Sequence, residues 1–217
     1  MNEIEFLSWV RGPAFQIASV ILIAGVIIRF AEIFMLGRKP NLAEAKGSEM
    51  TSGLKAIVMR SMRSPPKTAV FTEVAGYIFH LGWFVTFVLF APHILMFKSV
   101  IGLSWPSLPT AVIDALTVVT IITLFAVLAH RFHSKVLRYL TNSADILAWL
   151  VTILPLITGY FAFHRIGTTA PTLLALHILS VELLMVVLPF TKLMHAFTLF
   201  LSRWYNGAIS GYRGVKT

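Results

Sequence analysis

The sequence predicts an all-α integral membrane protein, a bundle of five transmembrane helices with the N-terminus outside and the C-terminus in the cytoplasm. Three observations predict this class. Of the 217 residues, 57% are hydrophobic and only 12% are charged, about half the charged fraction of a soluble domain. Five apolar stretches are each long enough to cross a hydrocarbon layer about 30 Å thick. Basic residues gather in alternate connections, as the positive-inside rule requires.

The first span begins near Pro13, which suits a first helical turn because its missing N–H needs no partner there. No positively charged segment precedes it, so we expect no secretory signal peptide. A cytoplasmic loop, residues 37–69, follows. Within it, residues 54–63 mix apolar and basic side chains, which predicts a short basic helix on the membrane surface or under a partner. A solvated loop with a single turn fits this segment equally well.

The later spans are read in the same way. Pro92 lies inside the second span, close to its far end. The third span ends in a basic turn, residues 131–143, and Asn142 or Ser143 can cap the fourth. Pro155 inside the fourth span is tolerable where neighbouring helices complete its hydrogen bonding. The whole chain, residues 1–217, therefore forms one membrane domain. Its five spans cover about residues 13–36, 70–97, 110–131, 144–163 and 171–201.

The distribution of Lys and Arg sets the orientation. Thirteen lie in the loop at 37–69, the turn at 131–143 and the tail beyond Leu201, and three lie on the opposite side. This bias also explains the net charge of +9 better than nucleic-acid binding does. The chain has no cysteine, which excludes disulfides, zinc–thiolate sites and cysteine-held iron–sulfur clusters. A redox centre would have to use histidine or methionine, or belong to a partner.

Four histidines lie inside predicted spans: His80 and His93 in the second, His177 and His195 in the fifth. An ionisable residue within a membrane indicates function, and imidazole is a good axial ligand for haem iron. Because His177 and His195 are eighteen residues apart, which is five helical turns, we expect both on one face of one helix, about 27 Å apart. The alternative for each is a packing histidine that is hydrogen-bonded to a backbone carbonyl.

Depths along the spans sort these histidines into pairs. Counted at about 1.5 Å per residue from the cytoplasmic ends, His80 and His195 lie about 15 and 9 Å up, and His93 and His177 about 34 and 36 Å up. We therefore predict two b-type haems, with His80 and His195 on the iron of the cytoplasmic one and His93 and His177 on that of the outer one. On an ideal helix His80 and His93 would point apart, but Pro92 can turn the helix between them.

Two motifs carry a family resemblance: Phe-His-Leu-Gly at 79–82, and Leu-His-Ile at 176–178 followed by Leu-Pro-Phe-Thr-Lys-Leu-Met-His at 188–195. They resemble the gamma subunit of respiratory nitrate reductase and its relatives, five-span dihaem cytochromes b that include subunits of heterodisulfide-reductase-like complexes. The resemblance implies that His80 and His195 hold the cytoplasmic haem and His177 one side of the outer haem. The family's remaining ligand matches Phe90, which cannot bind iron. His93 is the candidate replacement, and a single-haem protein stays open.

Other polar residues admit two readings each. Several cations near the cytoplasmic face could neutralise haem propionates or be ordinary positive-inside charge. Glu182, deep in the fifth span, could relay protons or bond near a quinone, or be a packing residue. A quinol pocket beside the outer haem could use His164, Arg165 and Lys98, which are otherwise loop residues. The cations of the cytoplasmic face are Lys192, Arg203, His130, Arg131 and Arg138.

The sequence thus predicts a haem b subunit that transfers electrons between the quinone/quinol pool and a cytoplasmic iron–sulfur partner subunit, in a bacterial or archaeal cytoplasmic (inner) membrane. The loop at 37–69, with Arg60 and Arg63, and the turn at 131–143 would dock that partner. The alternative is a cofactor-free membrane anchor or assembly subunit. A small transporter is less favoured, because the sequence indicates neither an inverted repeat nor a pair of broken helices.

Overall fold

The structure, a computed structural model, describes residues 2–37, 42, 44–59 and 69–215. Every regular element in this part of the chain is helical. One π-helical turn, Val10–Ala14, joins the first two helices, and two 3₁₀ turns, Leu188–Phe190 and Lys192–Met194, join the last two. The α-helices are α1 (Glu3–Trp9), α2 (Phe15–Met35), α3 (Glu49–Met59), α4 (Val70–Leu89), α5 (Ala91–Ile101), α6 (Thr110–His133), α7 (Lys135–Leu140), α8 (Ser143–His164), α9 (Ala170–Val187) and α10 (His195–Tyr212).

Five helical segments in the described chain are long and apolar enough to cross a membrane, as the sequence predicted. Their limits differ from the prediction at the N-terminus. The first segment begins at Glu3, ten residues before Pro13, because Asn2 and Glu5 form a reciprocal capping box. Pro13 lies in the π-helical turn instead of a first turn. The five segments are Glu3–Met35, Val70–Leu89, Thr110–His133, Ser143–His164 and Ala170–Phe190.

Two predicted spans are interrupted. The second ends at Leu89, Phe90 takes an extended conformation, and α5 starts at Ala91 with Pro92 in its first turn, as the position of Pro92 had indicated. The fifth ends at Phe190 and does not continue to residue 201. The expectation that His177 and His195 share one helix was therefore wrong, because Pro189 and the extended residue Thr191 interrupt it between them. His195 is the first residue of α10.

The spans pack in a row that sets the position of the histidines. Helix α6 packs against α4 and α8, α8 packs against α9, and α9 packs against α2. The first and last spans run parallel, because Glu3 bonds Thr169 at one end and Arg29 bonds the Pro189 carbonyl at the other. Within the described ranges, α4 does not pack closely along α9. In this row α4 lies at one end and α9 lies next to the other end, and we call the space between these two helices the gap.

Helices α3 and α10 form a closely packed antiparallel pair beside the bundle. Their backbones approach through small residues: a Cβ placed on Gly207 would overlap Ala56 and come within 2.6 Å of the Ser52 carbonyl oxygen. The helix predicted over residues 54–63 is present up to Met59 and begins earlier, at Glu49, so the solvated-loop reading is wrong for these residues. It packs against α10 of the same chain. Arg60 and Arg63 lie outside the described residues.

Replacing Gly207 by Ala tests this close approach. We expect Gly207→Ala to lower the free energy of unfolding by about 1–3 kcal/mol, because the new methyl group overlaps Ala56. Thermal unfolding in detergent, followed by tryptophan fluorescence, measures the change. Gly12→Ala is the matched control, because a Cβ there meets no atom within 4 Å. Equal melting temperatures for both variants would contradict the packing.

Candidate functional site

Two facing pairs of imidazoles bridge the gap between α4–α5 and α9–α10. His93 lies opposite His177, with ring centroids 6.1 Å apart and ring planes 19° from parallel. His80 lies opposite His195, with centroids 5.9 Å apart and planes 82° apart. Because α4 and α9 run in opposite directions, the two pairs lie at opposite ends of the same gap. The structure thus brings the four histidines together in the two couples named from the sequence.

The interruption before Pro92 orients His93. A helix end leaves its last carbonyls without intrahelical partners, and here each one is bonded. His93 Nδ1 lies 3.0 Å from the Phe87 carbonyl oxygen and 3.3 Å from that of Thr86. The Trp105 indole N–H donates to Val88 at 2.8 Å, and the Leu108 amide donates to Leu89 at 3.0 Å. The break therefore supplies the acceptor that holds the His93 ring.

His177 is held by α8, the helix that packs against α9. Thr158 donates its hydroxyl hydrogen to the Leu154 carbonyl at 2.7 Å, and its oxygen lies 3.3 Å from His177 Nδ1. Gly159 leaves room for the ring, since a Cβ there would lie 2.9 Å from His177 Cε1. Ser180 bonds the His177 carbonyl at 2.6 Å. Thr158 and Gly159 are site residues that the sequence analysis missed.

The second pair is held by local backbone. His80 Nδ1 bonds the Gly76 carbonyl, one turn earlier on α4, at 2.6 Å. His195 Nδ1 bonds the Lys192 carbonyl, in the 3₁₀ turn, at 2.7 Å. Both rings are exposed in the protein chain itself, so neither is a buried packing histidine. Both rings thus make the backbone-carbonyl bond of the packing alternative, although neither ring is buried.

All four rings share one hydrogen-bonding pattern, in which Nδ1 is engaged. A carbonyl oxygen can only accept, so a ring bonded to one through Nδ1 carries its hydrogen there. The Nε2 lone pair is then available to a metal. Histidine ligands in metalloproteins are oriented by this type of second bond. The Nδ1 partners are the carbonyls of Gly76, Phe87 and Lys192 and the hydroxyl of Thr158.

The spacing within each pair suits one metal ion between two rings. Metal–nitrogen bonds of about 2 Å on both sides, plus a ring radius of about 1 Å for each imidazole, place the centroids about 6 Å apart. The described residues contain no group of three or more His, Asp or Glu able to hold a metal. A protein-only zinc site needs three or four ligands. Two opposed imidazoles instead fit haem, whose porphyrin supplies the other four nitrogens.

Phe90 packs beside the first pair, and Glu182 lies five residues after His177 on α9. The Phe90 ring lies 5.3 Å from that of His93 and 5.0 Å from that of Phe163, so Phe90 packs beside the pair while His93 faces His177. Glu182 is only 4% exposed, and among the described residues its Oε1 has no hydrogen-bond partner. The ion-paired packing reading of Glu182 has no support from these contacts.

Several predicted cations have protein partners of their own. Arg131 and Lys192 both bind Asp145, a residue that the sequence analysis passed over. The pattern Asn142-Ser-Ala-Asp145 at the start of α8 is a capping-box signal that could have identified it. At the other end, His164 pairs with Asp114 at 3.1 Å. Of the other predicted cations, Arg203 bonds the Ile57 carbonyl and the His130 ring packs on Phe71. Lys98 lies in the last turn of α5, Arg138 lies in the last turn of α7, and Arg165 follows α8.

The pairing can be tested without any cofactor, since the chain has no native cysteine. We expect a short bismaleimide to link His80→Cys to His195→Cys, and His93→Cys to His177→Cys, within one chain. The facing rings are too far apart for a direct disulfide, so a spacer is needed. The mismatched control is His80→Cys with His177→Cys, which belong to different pairs, thirteen residues apart along α4 and α5. Equal linkage of matched and mismatched pairs, read by mass spectrometry, would refute the pairing.

Comparison with known proteins places the chain among relatives without assigning an activity. No family model matches the sequence, and no solved structure matches it. A protein of Nitratidesulfovibrio vulgaris (strain Hildenborough) is 31% identical over 208 residues, which cover 92% of this chain and 91% of that protein. Its description, "Protein", names no function. The match extends over nearly the full length of both chains, and the chain therefore belongs to one family with this Nitratidesulfovibrio vulgaris protein.

Proposed function

We propose that the chain is a haem b-binding membrane subunit that transfers electrons between the quinone/quinol pool and a cytoplasmic iron–sulfur partner subunit of a respiratory complex. The observation that carries the proposal is the two opposed imidazole pairs, each about 6 Å between centroids, with every Nδ1 engaged. Haem supplies one-electron redox chemistry when bound, and the protein supplies ligands, spacing and an apolar environment.

In this proposal the chain's own residues fix where the two cofactors lie. His80 and His195 would hold one haem, and His93 and His177 the other, with the break at Phe90 between His80 and His93. A flat cofactor would lie between the two rings of each pair. Gly159 keeps one side of the gap clear at His177. Two sites at different depths in one gap suit transfer of charge across a membrane.

The resemblance to the nitrate reductase gamma family supports a quinone on the outer side and an iron–sulfur partner on the cytoplasmic side. Basic side chains at the proposed cytoplasmic end favour docking of an acidic partner. On α7, Lys135 and Arg138 are exposed together with Val136 and Tyr139, the latter 89% exposed. A mixed basic and apolar surface of this kind suits a protein interface.

A small transporter was less favoured because the sequence indicated no pair of broken helices, but the structure contains two interrupted spans. In transporters, paired breaks meet at one site near the middle of the membrane and expose backbone groups to the substrate. Here the break at Phe90 and the break at 188–194 end antiparallel spans, so they lie at opposite ends of the bundle. The carbonyls freed at the first break are already bonded. A shared transport site is therefore not favoured.

A reduced-minus-oxidised spectrum of the purified full-length chain tests the proposal. We expect two six-coordinate b-type signals and two haems per chain, because each imidazole pair supplies both axial ligands. His93→Ala should halve the haem content, whereas Phe90→Ala, the neighbouring control, should not. One haem per unaltered chain would mean that only the His80–His195 pair binds haem. A colourless preparation from haem-replete cells would instead support the cofactor-free anchor.

Orientation is open to a separate measurement that does not depend on haem. In the cysteine-free chain, we expect Lys98→Cys to react with a membrane-impermeant maleimide from outside intact cells. Lys135→Cys should react only after lysis, because the positive-inside bias places α7 in the cytoplasm. The two sites serve as controls for each other. The reverse labelling pattern would overturn the proposed direction of the chain and, with it, the cytoplasmic location of the docking surface.

A further inference from the structure

Asp145 is the meeting point of three separate elements. Its side chain is only 9% exposed, and each of its carboxylate oxygens accepts a strong bond. Oδ1 lies 2.6 Å from Lys192 Nζ, and Oδ2 lies 2.8 Å from Arg131 Nη2. Oδ2 also accepts the Asn142 amide at 3.0 Å, which closes the capping box of α8. One carboxylate thus joins the end of α6, the start of α8 and the turn between α9 and α10.

The turn that Asp145 holds is the one that carries a candidate ligand. The Lys192 ammonium group donates a hydrogen bond to Asp145. The Lys192 carbonyl accepts the Nδ1 hydrogen of His195 at 2.7 Å. Arg131 is fixed in turn by a 2.7 Å bond from its Nε to Thr141. A continuous series of polar contacts therefore runs from α6, through Asp145 and Lys192, to the His195 ring.

Among the described residues, two polar contacts and the buried Met194 side chain hold the turn before His195. Helix α10, which begins at His195, packs mainly against α3, and the pair stands beside the row of spans. At the start of the turn, Arg29 bonds the Pro189 carbonyl at 3.1 Å and fixes the end of α9 against α2. The Lys192–Asp145 contact fixes the far end of the turn against α8. The direction of the His195 ring therefore depends on this second contact.

We propose that Asp145 is a positioning residue for His195: through its ion pair with Lys192, it holds the carbonyl that orients the His195 imidazole toward His80. This inference rests on the proposed haem function and names a residue that acts on the ligand without touching the cofactor. Outer-shell partners of histidine ligands commonly change metal affinity by 10- to 100-fold when they are removed. The conversion of a charged partner to a neutral one should have an effect of that size.

The test uses the full-length holoprotein with Asp145→Asn. We expect the His80–His195 haem to transfer to excess apomyoglobin about 10- to 100-fold faster, and its low-spin EPR signal to shift, while the signal of the His93–His177 haem is unchanged. Asp114→Asn is the matched control, since it removes the same charge from the His164 pair at the opposite end. Lys192→Met should reproduce the effect and leave the Asp145–Arg131 pair and the α8 cap in place. Lys192→Arg should restore slow release.

A second measurement keeps the inference testable even without haem. In the His80→Cys, His195→Cys chain, the short bismaleimide should link the two thiols several-fold less efficiently when Asp145→Asn or Lys192→Met is added. Unchanged linkage together with unchanged haem release would overturn the positioning role of Asp145. Should the unaltered chain hold no haem, the proposed function fails, and the linkage experiment alone then decides whether Asp145 positions residue 195.

Discussion

The arrangement of the candidate site depends on one interaction, the hydrogen bond that each imidazole makes through Nδ1. In an apolar layer an N–H group without a partner costs several kcal/mol, roughly 2–7 by transfer measurements. Each histidine of the two pairs avoids this cost with an acceptor from its own chain. The same bond leaves Nε2 as the free nitrogen. The acceptors are a carbonyl inside α4 (Gly76), one at its end (Phe87), one in a 3₁₀ turn (Lys192) and a hydroxyl (Thr158).

The interruptions in the second and fifth spans are therefore part of the site. A continuous helix uses each carbonyl internally, whereas the break at Phe90 frees the Phe87 carbonyl for His93. Irregular backbone is tolerated at membrane depth only when protein covers its polar groups. Trp105 and Leu108 fold back to bond the other carbonyls at this break. Near the opposite end of the gap, Arg29 bonds Pro189 and Asp145 bonds Lys192.

Hydropathy and charge were enough to predict five helices of membrane-spanning length, because length and apolar composition are local properties of the sequence. The four histidines could be selected and coupled by counting residues. The expectation that His177 and His195 lie on one face of one helix was wrong, since the helix is interrupted between them and an eighteen-residue spacing then does not fix their relative direction. Pro189 was a visible signal of that break. Thr158 and Gly159 could not be selected, because their role depends on how α8 packs against α9.

The row of helices has a consequence for how the chain assembles as it is synthesised. The third, fourth and fifth spans are each adjacent to the span before them, so they can pack as soon as they emerge. The first span instead packs in parallel against the fifth, more than 130 residues later in the chain. The earliest helix to enter the bilayer is thus the last to find its neighbour. Until then its small residues Ala18 and Gly25, which are buried in the finished protein, are not covered by the fifth span.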